Sequence, residues 1–290
     1  MQGKLSCLLS LTVHPLMVQS NQNLCIIRGA GELATAIAVR LSNVGLAVVC
    51  LELPNPLCVR TTISFASSIL SETNSCTVEG IEAVHAQSYD CVPTILSQKK
   101  VAVLIADPLP NVVQHFQPFC IIDALMTKKG NNGLCKSLAP LVIALGPCFE
   151  AGKDAHFVVE TCRGHDLGRI YSSGFAIPDT GIPGEIGSKT MERLLRAPCT
   201  GAVEPIKQIG DLVEVGDVVA TVNQIPVYSE IKGIIRGMIT RGVVVAERTK
   251  IGDVDPRVQM AKNYTHTITD KGRTISGSVL EIVAKYLFNN

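Results

Sequence analysis

The sequence contains no tryptophan, and aromatic residues make up only 4% of its 290 positions. This scarcity argues against a platform of stacked aromatic side chains that would bind single-stranded nucleic acid. An excess of one charge is also lacking, because 26 Lys and Arg residues balance 25 Asp and Glu residues to a net charge of +1. Since proteins that bind nucleic acid concentrate positive charge on one face, we predict no nucleic-acid partner.

Long hydrophobic runs are lacking as well. The best candidate, residues 5–18, is interrupted by His14 and Pro15 and is shorter than the roughly 20 apolar residues that span a bilayer. It resembles a secretory signal only loosely, because no pattern of small residues for cleavage follows it. We therefore expect residues 1–23 to form a leading strand or arm, and we expect no membrane partner.

The eleven cysteines form no C-x-x-C pair, and their number is odd. Such a distribution favours neither a disulfide framework nor a zinc site. It indicates a reducing compartment, so we predict a cytoplasmic protein without a metal site. The sequence also lacks a zinc-protease motif, a P-loop and a G-x-S-x-G nucleophile elbow.

The residues that are abundant are apolar. Hydrophobic residues make up 47% of the chain and charged residues 18%, and the mean hydropathy is +0.30. In a globular protein these values favour a parallel sheet that is covered on both faces, whose strands are continuous apolar runs. We predict an α/β fold whose main unit, residues 24–195, is a Rossmann-like domain with a mostly parallel sheet.

The start of this unit has the layout of a βαβ motif. An apolar strand at 24–27 leads into a glycine-containing turn at 28–34, a helix that ends near residue 44, and a second strand at 47–51 that is followed by Glu52. Glycines at such a turn let a pyrophosphate approach the backbone, and the helix N-terminus attracts anions. The pattern predicts a nucleotide-binding turn whose cofactor-binding residues are Arg28, Gly29, Gly31, Ala34 and Glu52.

One residue argues against a nucleotide at this turn. Glu32 lies in the first turn of the predicted helix, where its carboxylate would repel a phosphate. Arg28 either pairs with a ligand anion or forms a local ion pair with Glu32, in which case the turn binds nothing. Two other strand ends, Asp107 and Asp123, are either cleft residues at the carboxyl edge of the sheet or caps of turns.

A second polar stretch follows the strand that ends near residue 160. Arg163 and Arg169 lie on a loop broken by glycines and are predicted to bind an anion, because a guanidinium forms a planar bidentate fork. His165 titrates near neutrality and is the candidate proton shuttle. Glu160 and Asp179 complete the predicted set of catalytic residues.

Short β segments rich in Val and Ile fill residues 196–257. Residues 201–213 resemble residues 233–245 at an offset of 32, and such a duplication is typical of the barrel-sandwich hybrid of biotinyl and lipoyl domains. The predicted hairpin between the halves has no lysine, so we do not expect a swinging-arm carrier. Asp253 and Asp255 could bind a divalent ion, although turn roles are commoner. Residues 258–290 are predicted to be helical.

Six stretches, in the same order over residues 24–287, carry a resemblance to one family. The stretches are residues 27–34 (IRGAGELA), 52–56 (ELPNP), 145–147 (LGP), 160–168 (ETCRGHDLG), 179–184 (DTGIPG) and 251–257 (IGDVDPR). Together they resemble the accessory proteins of the selenium-dependent molybdenum hydroxylase system. The resemblance implies a maturation factor that acts together with molybdenum hydroxylase subunits.

The leading hypothesis is an accessory factor that binds a phosphate-bearing small molecule, either a nucleotide such as NAD(P) or a molybdopterin. Glu52 would then contact a ribose or pterin hydroxyl. The first alternative is an NAD(P)-dependent oxidoreductase, and the second is a non-catalytic docking scaffold for a hydroxylase subunit. The sequence leaves open whether the protein is an enzyme and whether it forms a homo-oligomer.

Overall fold

The structure is a computed structural model that describes residues 21–127 and 130–289. The predicted leading arm therefore lies outside the described residues, except for its last three positions. These belong to the first strand, which begins at Asn21 rather than at residue 24.

The described residues form six α-helices and nineteen strands. The helices are α1 (Glu32–Asn43), α2 (Ser67–Leu70), α3 (Val92–Ser97), α4 (Leu109–Phe116), α5 (Val258–Tyr264) and α6 (Asp270–Asn289). The first ten strands are β1 (Asn21–Arg28), β2 (Ala47–Glu52), β3 (Ser75–Val78), β4 (Ile81–His85), β5 (Val101–Ile105), β6 (Pro118–Asp123), β7 (Leu141–Leu145), β8 (Glu150–Ala151), β9 (Phe157–Val159) and β10 (Ile170–Tyr171). The later strands are β11 (Gly174–Phe175), β12 (Leu194–Arg196), β13 (Gly201–Pro205), β14 (Leu212–Val213), β15 (Val218–Val222), β16 (Ile225–Tyr228), β17 (Gly233–Met238), β18 (Val244–Val245) and β19 (Lys250–Asp255).

A nine-stranded mixed sheet organises the first part of the chain. Its order is β10-β9-β7-β6-β1-β2-β5-β4-β3, with parallel pairing in the interior and antiparallel pairing at both edges. The central strands are apolar runs that are buried on both faces, as continuous hydrophobic strands require. The sequence correctly predicted these runs and the β3–β4 hairpin.

The C-terminal helix α6 covers one face of this sheet together with α1. Its side chains Ile275, Val279 and Val283 are fully buried in the same hydrophobic cluster as Ile37 of α1. A Cβ atom at Gly272 would lie 3.1 Å from the Cβ of Ala36, so a glycine lets the two helices approach closely. The opposite face is covered by α3 and α4.

The predicted fold class, a Rossmann-like mostly parallel domain with a small barrel-sandwich-hybrid-like module, is wrong for this structure. In the described residues, no α-helix connects β6 to β7 or β7 to β9, although crossover helices define a doubly wound sheet. The helix that covers this part of the sheet is α6, from the far end of the chain. The sheet is mixed, and a region of antiparallel sheets is attached to it.

That antiparallel region consists of two four-stranded sheets, β12-β19-β17-β14 and β16-β15-β13-β18. The duplication is visible in the strand positions, because β13, β14 and β15 recur as β17, β18 and β19 at an offset of 32 residues. The first strand of each copy pairs with the third strand of its own copy and with the second strand of the other. The region contacts the large sheet's loops where Met238 donates its N–H to the carbonyl oxygen of Val59.

Within residues 21–127 and 130–289, no helix is both long enough and apolar enough to cross a membrane.

The packing of α6 into the main core leads to a stability prediction. We expect Ile275→Ala to lower the free energy of unfolding by about 2–5 kcal/mol, because the change leaves a cavity in place of a fully buried side chain. Urea unfolding measures this loss. Leu287→Ala, at an exposed position of the same helix, is the matched control and should cost less than about 1 kcal/mol. Equal costs for the two variants would contradict the packing of α6 in the core.

Candidate functional site

The carboxyl ends of the parallel strands meet at one edge of the large sheet. Arg28, Glu52 and Asp123 are the last residues of β1, β2 and β6, and Glu160 directly follows β9. The fold thus brings together four of the polar residues that the sequence singled out. Asp107 follows β5 and accepts a hydrogen bond from the hydroxyl of Tyr89 at 2.8 Å.

The glycine turn between β1 and α1 already holds a carboxylate. Gly29, with φ of +99°, donates its N–H to the carbonyl oxygen of Leu51 at 2.7 Å. The N–H of Ala30 donates to Oε2 of Glu52 at 2.8 Å, while Oε1 accepts from the N–H of Leu53 at 2.7 Å. Glu52 therefore already accepts the hydrogen bond of one amide in the turn that was predicted to bind a ligand phosphate.

The remaining residues of the turn make contacts within the fold. Gly31 precedes α1 and accepts the first helical hydrogen bond, from the N–H of Thr35, and Ala34 is buried. Glu32 accepts a hydrogen bond from the Thr269 hydroxyl at 2.6 Å. The expected alternative of an Arg28–Glu32 ion pair is wrong.

Arg28 instead pairs with Asp123. Its Nη1 lies 2.6 Å from Oδ2 of this fully buried aspartate, and its Nη2 donates to the carbonyl oxygen of Asn132 at 3.0 Å. Burial raises the pKa of Asp123, and the Arg28 charge opposes that shift. Each buried charge of the pair therefore has an opposite charge beside it, which offsets the cost of removing it from water.

Glu160, a predicted catalytic residue, holds the loop that follows it. The side chain is fully buried, and its Oε1 accepts from the N–H groups of Thr161 and Cys162, both at 2.7 Å. Its Oε2 accepts from the N–H of Ile177 at 2.8 Å. Three backbone donors on one carboxylate indicate an anchor of the polar loop.

The two loop arginines have acidic partners of their own. Arg163 binds Asp270, the first residue of α6, through Nη1 at 2.6 Å and Nη2 at 3.0 Å. Arg169 lies 3.0 Å from Asp166 and over the ring of Tyr171. Their roles as anion ligands stay predictions, and a ligand would compete with these pairs.

The other two predicted catalytic residues are exposed. His165 makes no hydrogen bond or ion pair with any residue that the structure describes. Asp179 accepts a hydrogen bond from the N–H of Gly181 at 3.2 Å, as in an Asx turn.

A second concentration of charge lies where the antiparallel sheets meet the loop after β2. We call it the junction cluster, and it comprises four cations and two anions: Arg60, Arg193, Arg236, Lys250, Asp253 and Asp255. Arg236 lies on β17, and the last three residues lie on β19. Because side chains at i and i+2 of a strand share a face, the spacing of Asp253 and Asp255 could have indicated common partners. Arg193, Arg236 and Lys250 carried no signal in the sequence.

Asp253 is the centre of this cluster. Its Oδ2 lies 3.0 Å from Nη1 of Arg193 and 3.5 Å from Nη1 of Arg236, and its Oδ1 lies 3.5 Å from Nζ of Lys250. Burial would raise the pKa of Asp253, but the surrounding cations hold it below its usual value.

Asp255 is fully buried and accepts two side-chain hydrogen bonds from Arg257, at 3.0 and 2.7 Å. Both carboxylates of the cluster are thus engaged by cationic side chains. In the described part of the chain, no group of three or more His, Cys, Asp or Glu side chains is arranged to hold a metal ion. The less common alternative that the sequence left open, a divalent ion at Asp253 and Asp255, has no support among the described residues.

Arg60 differs from the other members of the cluster. It is only 4% exposed, and its Nη2 donates to the carbonyl oxygen of Tyr264 at 3.1 Å. Its Nε and Nη1 are buried and have no hydrogen-bond partner among the described residues. Burial lowers the pKa of Arg60, while Glu32 counteracts this shift.

No family model matches the chain. It is 39% identical over 268 residues to a protein of Escherichia coli (strain K12) known as uncharacterized protein YqeB, over 92% of this chain and 48% of that protein. The chain therefore spans about half the length of this relative. The name of this relative states no activity, so the resemblance to accessory proteins of selenium-dependent molybdenum hydroxylases stays a prediction.

Solved structures similar to this one include an aspartoacylase family protein from Mesorhizobium loti and a succinylglutamate desuccinylase/aspartoacylase from Rhodobacter sphaeroides. Each shares 13% identity over 80% of this chain and 84% of its own, with TM-scores of 0.25 and 0.26. A succinylglutamate desuccinylase from Silicibacter sp. TM1040 shares 12% identity over 80% of this chain and 85% of its own, with a TM-score of 0.24. Likeness at this level carries no argument about activity.

The descriptions that the sequence patterns and the resemblance gave find no support among these solved structures. The sequence predicted a Rossmann-like, nucleotide-binding protein with a barrel-sandwich hybrid and a part in molybdenum cofactor and selenium-dependent hydroxylase chemistry. The solved structures found are aspartoacylase and desuccinylase proteins instead. The cytoplasmic location stays a prediction.

The role of Glu52 in the turn can be tested by stability. Glu52→Gln replaces one carboxylate oxygen with an amide nitrogen, so one of the two backbone N–H groups loses its acceptor. We expect a loss of about 1–3 kcal/mol in the free energy of unfolding, measured in urea. Glu72→Gln, at an exposed site, is the control and should be nearly neutral. A neutral Glu52→Gln would show that the carboxylate is not part of the turn.

The Arg163–Asp270 pair predicts a pH dependence. Hydrogen bonds from Arg163 lower the pKa of Asp270 from 3.8 to about 2. Because the folded-state pKa is depressed, the pair stabilises fully above the unfolded pKa, and this contribution is lost as pH falls towards about 2. Since Asp270 is largely exposed, we expect Asp270→Asn to cost less than about 1 kcal/mol at neutral pH.

Urea unfolding as a function of pH measures this difference between the two proteins. It should shrink as pH falls from about 4 towards about 2. Asp90→Asn, at an exposed position of the short 3-10 helix Tyr89–Cys91, serves as the control. A difference for Asp270→Asn that does not change with pH would argue against the ion pair.

Proposed function

We propose that the protein binds a small phosphate-bearing anion at the junction cluster, with Arg60 as its principal ligand. Arg60 carries the proposal, because its guanidinium is buried with two donor nitrogens that have no partner in the described part of the chain. Guanidinium groups do not lose their proton in proteins, so this side chain is a buried cation. Each buried donor without a partner costs about 1–3 kcal/mol, which an anionic ligand that accepts its hydrogen bond would offset.

The charge balance of the junction cluster supports an anion. Its four cations face two aspartates, and Arg257 already takes up much of the charge of one of them. Arg193 also has a buried Nε without a partner among the described residues. Oδ1 of Asp253 is a buried acceptor that also lacks a hydrogen-bond partner among the described residues, so three free donor nitrogens face one free acceptor oxygen.

A phosphate group suits these donors better than a single carboxylate. Its oxygens can accept from several guanidinium groups at once, and arginine is favoured where planar, bidentate recognition of phosphate is needed. Glu32 lies within electrostatic reach of Arg60 and limits the net positive charge of the site. The proposal concerns binding only, and it places no reaction at the cluster.

The packing around the cluster keeps Arg60 in position. Met238 pairs with Arg60 in a β-bridge, and the hydroxyl of Thr61 donates to the carbonyl oxygen of Met238 at 3.3 Å. A Cβ atom at Gly237 would lie 2.5 Å from Oδ1 of Asp253 and 3.4 Å from Cδ of Arg60. Only glycine lets β17 pass so close to both charged side chains.

The proposal is tested by thermal unfolding and calorimetry of the purified protein with separate anions. Inorganic phosphate, pyrophosphate, CTP and NADP are the phosphate-bearing probes, and succinate is the dicarboxylate probe. A ligand at a hundredfold excess over Kd stabilises the folded state by about 2.7 kcal/mol. We expect at least one phosphate-bearing probe to raise the Tm and succinate to have no effect.

Arg60→Met is the decisive variant. It removes the buried charge and keeps much of the side-chain volume, so we expect the ligand-free Tm to change little or to rise. The ligand-induced shift in Tm should disappear. Arg241→Met, at an exposed arginine paired with Glu204, is the matched control and should keep the shift.

Two results would overturn the proposal. The first is a panel in which no phosphate-bearing probe stabilises the protein. The second is a shift in Tm that survives Arg60→Met, which would place the ligand elsewhere. Stabilisation by succinate alone would show that the ligand class is carboxylate and would likewise contradict the phosphate assignment.

A further inference from the structure

A cavity of about 320 Å³ lies between the C-terminal half of α6 and the β9–β10 edge of the large sheet. Its apolar walls are Phe157 and Ile170 from the two strands, and Ile282 and Tyr286 from the helix. The spacing of the two helical residues places them on one face of α6. None of these residues belongs to the junction cluster or to the glycine turn.

The cavity has the chemistry of a small-molecule site. Its walls are aromatic and aliphatic, and its volume is at the small end of the range of about 300–1,000 Å³ that is typical of ligand pockets. The ring of Tyr286 is held by stacking on Phe119, with the ring centroids 6.0 Å apart. Its walls come from α6 and from strands β9 and β10.

Two polar side chains line the same cavity. Lys285 and Asn289 belong to α6 and supply an ammonium and an amide. The ammonium of Lys285 lies 2.5 Å from Oε1 of Glu281, and both side chains are more than half exposed. Exposed pairs of this kind contribute little free energy, so the ammonium can exchange Glu281 for a ligand carboxylate at small cost.

We propose that this cavity binds a small amphipathic carboxylate. Its alkyl or aryl part would lie against Phe157, Ile170 and Ile282, and its carboxylate would accept hydrogen bonds from Lys285 and Asn289. Burial of the apolar part supplies most of the affinity, because each buried CH₂ contributes about 0.8 kcal/mol. The carboxylate supplies the selectivity over amines, which Lys285 would repel. This inference does not rest on the proposed anion site.

The absence of tryptophan makes a direct test possible. Tyr286→Trp introduces the single tryptophan of the chain into the wall of the cavity, where it can be excited selectively over the remaining tyrosines. Bromohexanoate, whose bromine quenches indole fluorescence at contact, should quench this tryptophan with a saturable curve, and hexanoate should reverse the quenching. Phe175→Trp, at an exposed position of β11, is the control and should show only weak, linear collisional quenching.

Two further variants separate the apolar and the charged contributions. Ile282→Phe fills part of the cavity and should abolish saturable binding of hexanoate to the otherwise unchanged chain, measured by calorimetry. Lys285→Met changes an exposed side chain that does not threaten folding. It should weaken hexanoate binding by about threefold to fivefold and leave the binding of hexanol unchanged.

Several outcomes would overturn the proposal. Equal, linear quenching of both tryptophans would show that bromohexanoate does not enter the cavity. Hexylamine binding as tightly as hexanoate, or Lys285→Met without effect on hexanoate, would exclude the carboxylate class. Failure of the junction-cluster experiment leaves these results unaffected, because the two sites share no residue.

Discussion

Buried charge at the junction of the large sheet with the antiparallel sheets is the constraint on which the rest of this structure depends. Arg60 lies in the interior, where Asp253 and Asp255 of β19 lie within electrostatic reach of its charge and the carbonyl oxygen of Tyr264 in α5 accepts one of its hydrogen bonds. Strands β17 and β19 approach closely enough because Gly237 and Gly252 have no side chain, and a Cβ atom at either would lie 2.5 Å from another atom. Gly237 and Gly252, both in the second copy of the duplication, therefore leave room for the close packing of β17 and β19 at the junction cluster.

The carboxylates of the molecule fall into two physical classes. Glu52 and Glu160 accept hydrogen bonds mainly from backbone N–H groups, and they hold the turns and loops next to the strand ends at which they lie. Asp123 and Asp253 instead pair with arginines that are distant in sequence, and they hold separate elements together. Both oxygens of a carboxylate in the first class already accept backbone hydrogen bonds, so it is a poorer candidate for a ligand or a proton carrier than a carboxylate without such partners. The cations of the second class outnumber their carboxylates at the junction cluster, and this excess is what points to an anion.

Much of the local structure could be predicted from the sequence. The apolar strands β5, β6 and β7, the glycine turn before α1 and the β3–β4 hairpin followed from runs of hydrophobic residues and from glycine positions. The duplication at an offset of 32 residues also reappears in the strand order. Where the fold prediction failed, the cause was the missing crossover helices, because α6 from the end of the chain covers the face of the sheet that such helices would cover. Periodicity identifies α6 as an amphipathic helix but does not say which sheet its apolar face meets.

The sequence by itself determined which residues are apolar, where the chain turns and which side chains carry charge. It placed Arg28, Glu52, Asp123 and Glu160 at strand ends, since an apolar run ends where a charged residue follows. Only the tertiary structure decided the partner of each charge. Arg28 meets Asp123 across 95 positions, Arg193 meets Asp253 across 60, and Arg60 meets the carbonyl oxygen of Tyr264 across 204. The physical reason is that the cost of burying a charge depends on the groups around it in space, and sequence distance does not report them.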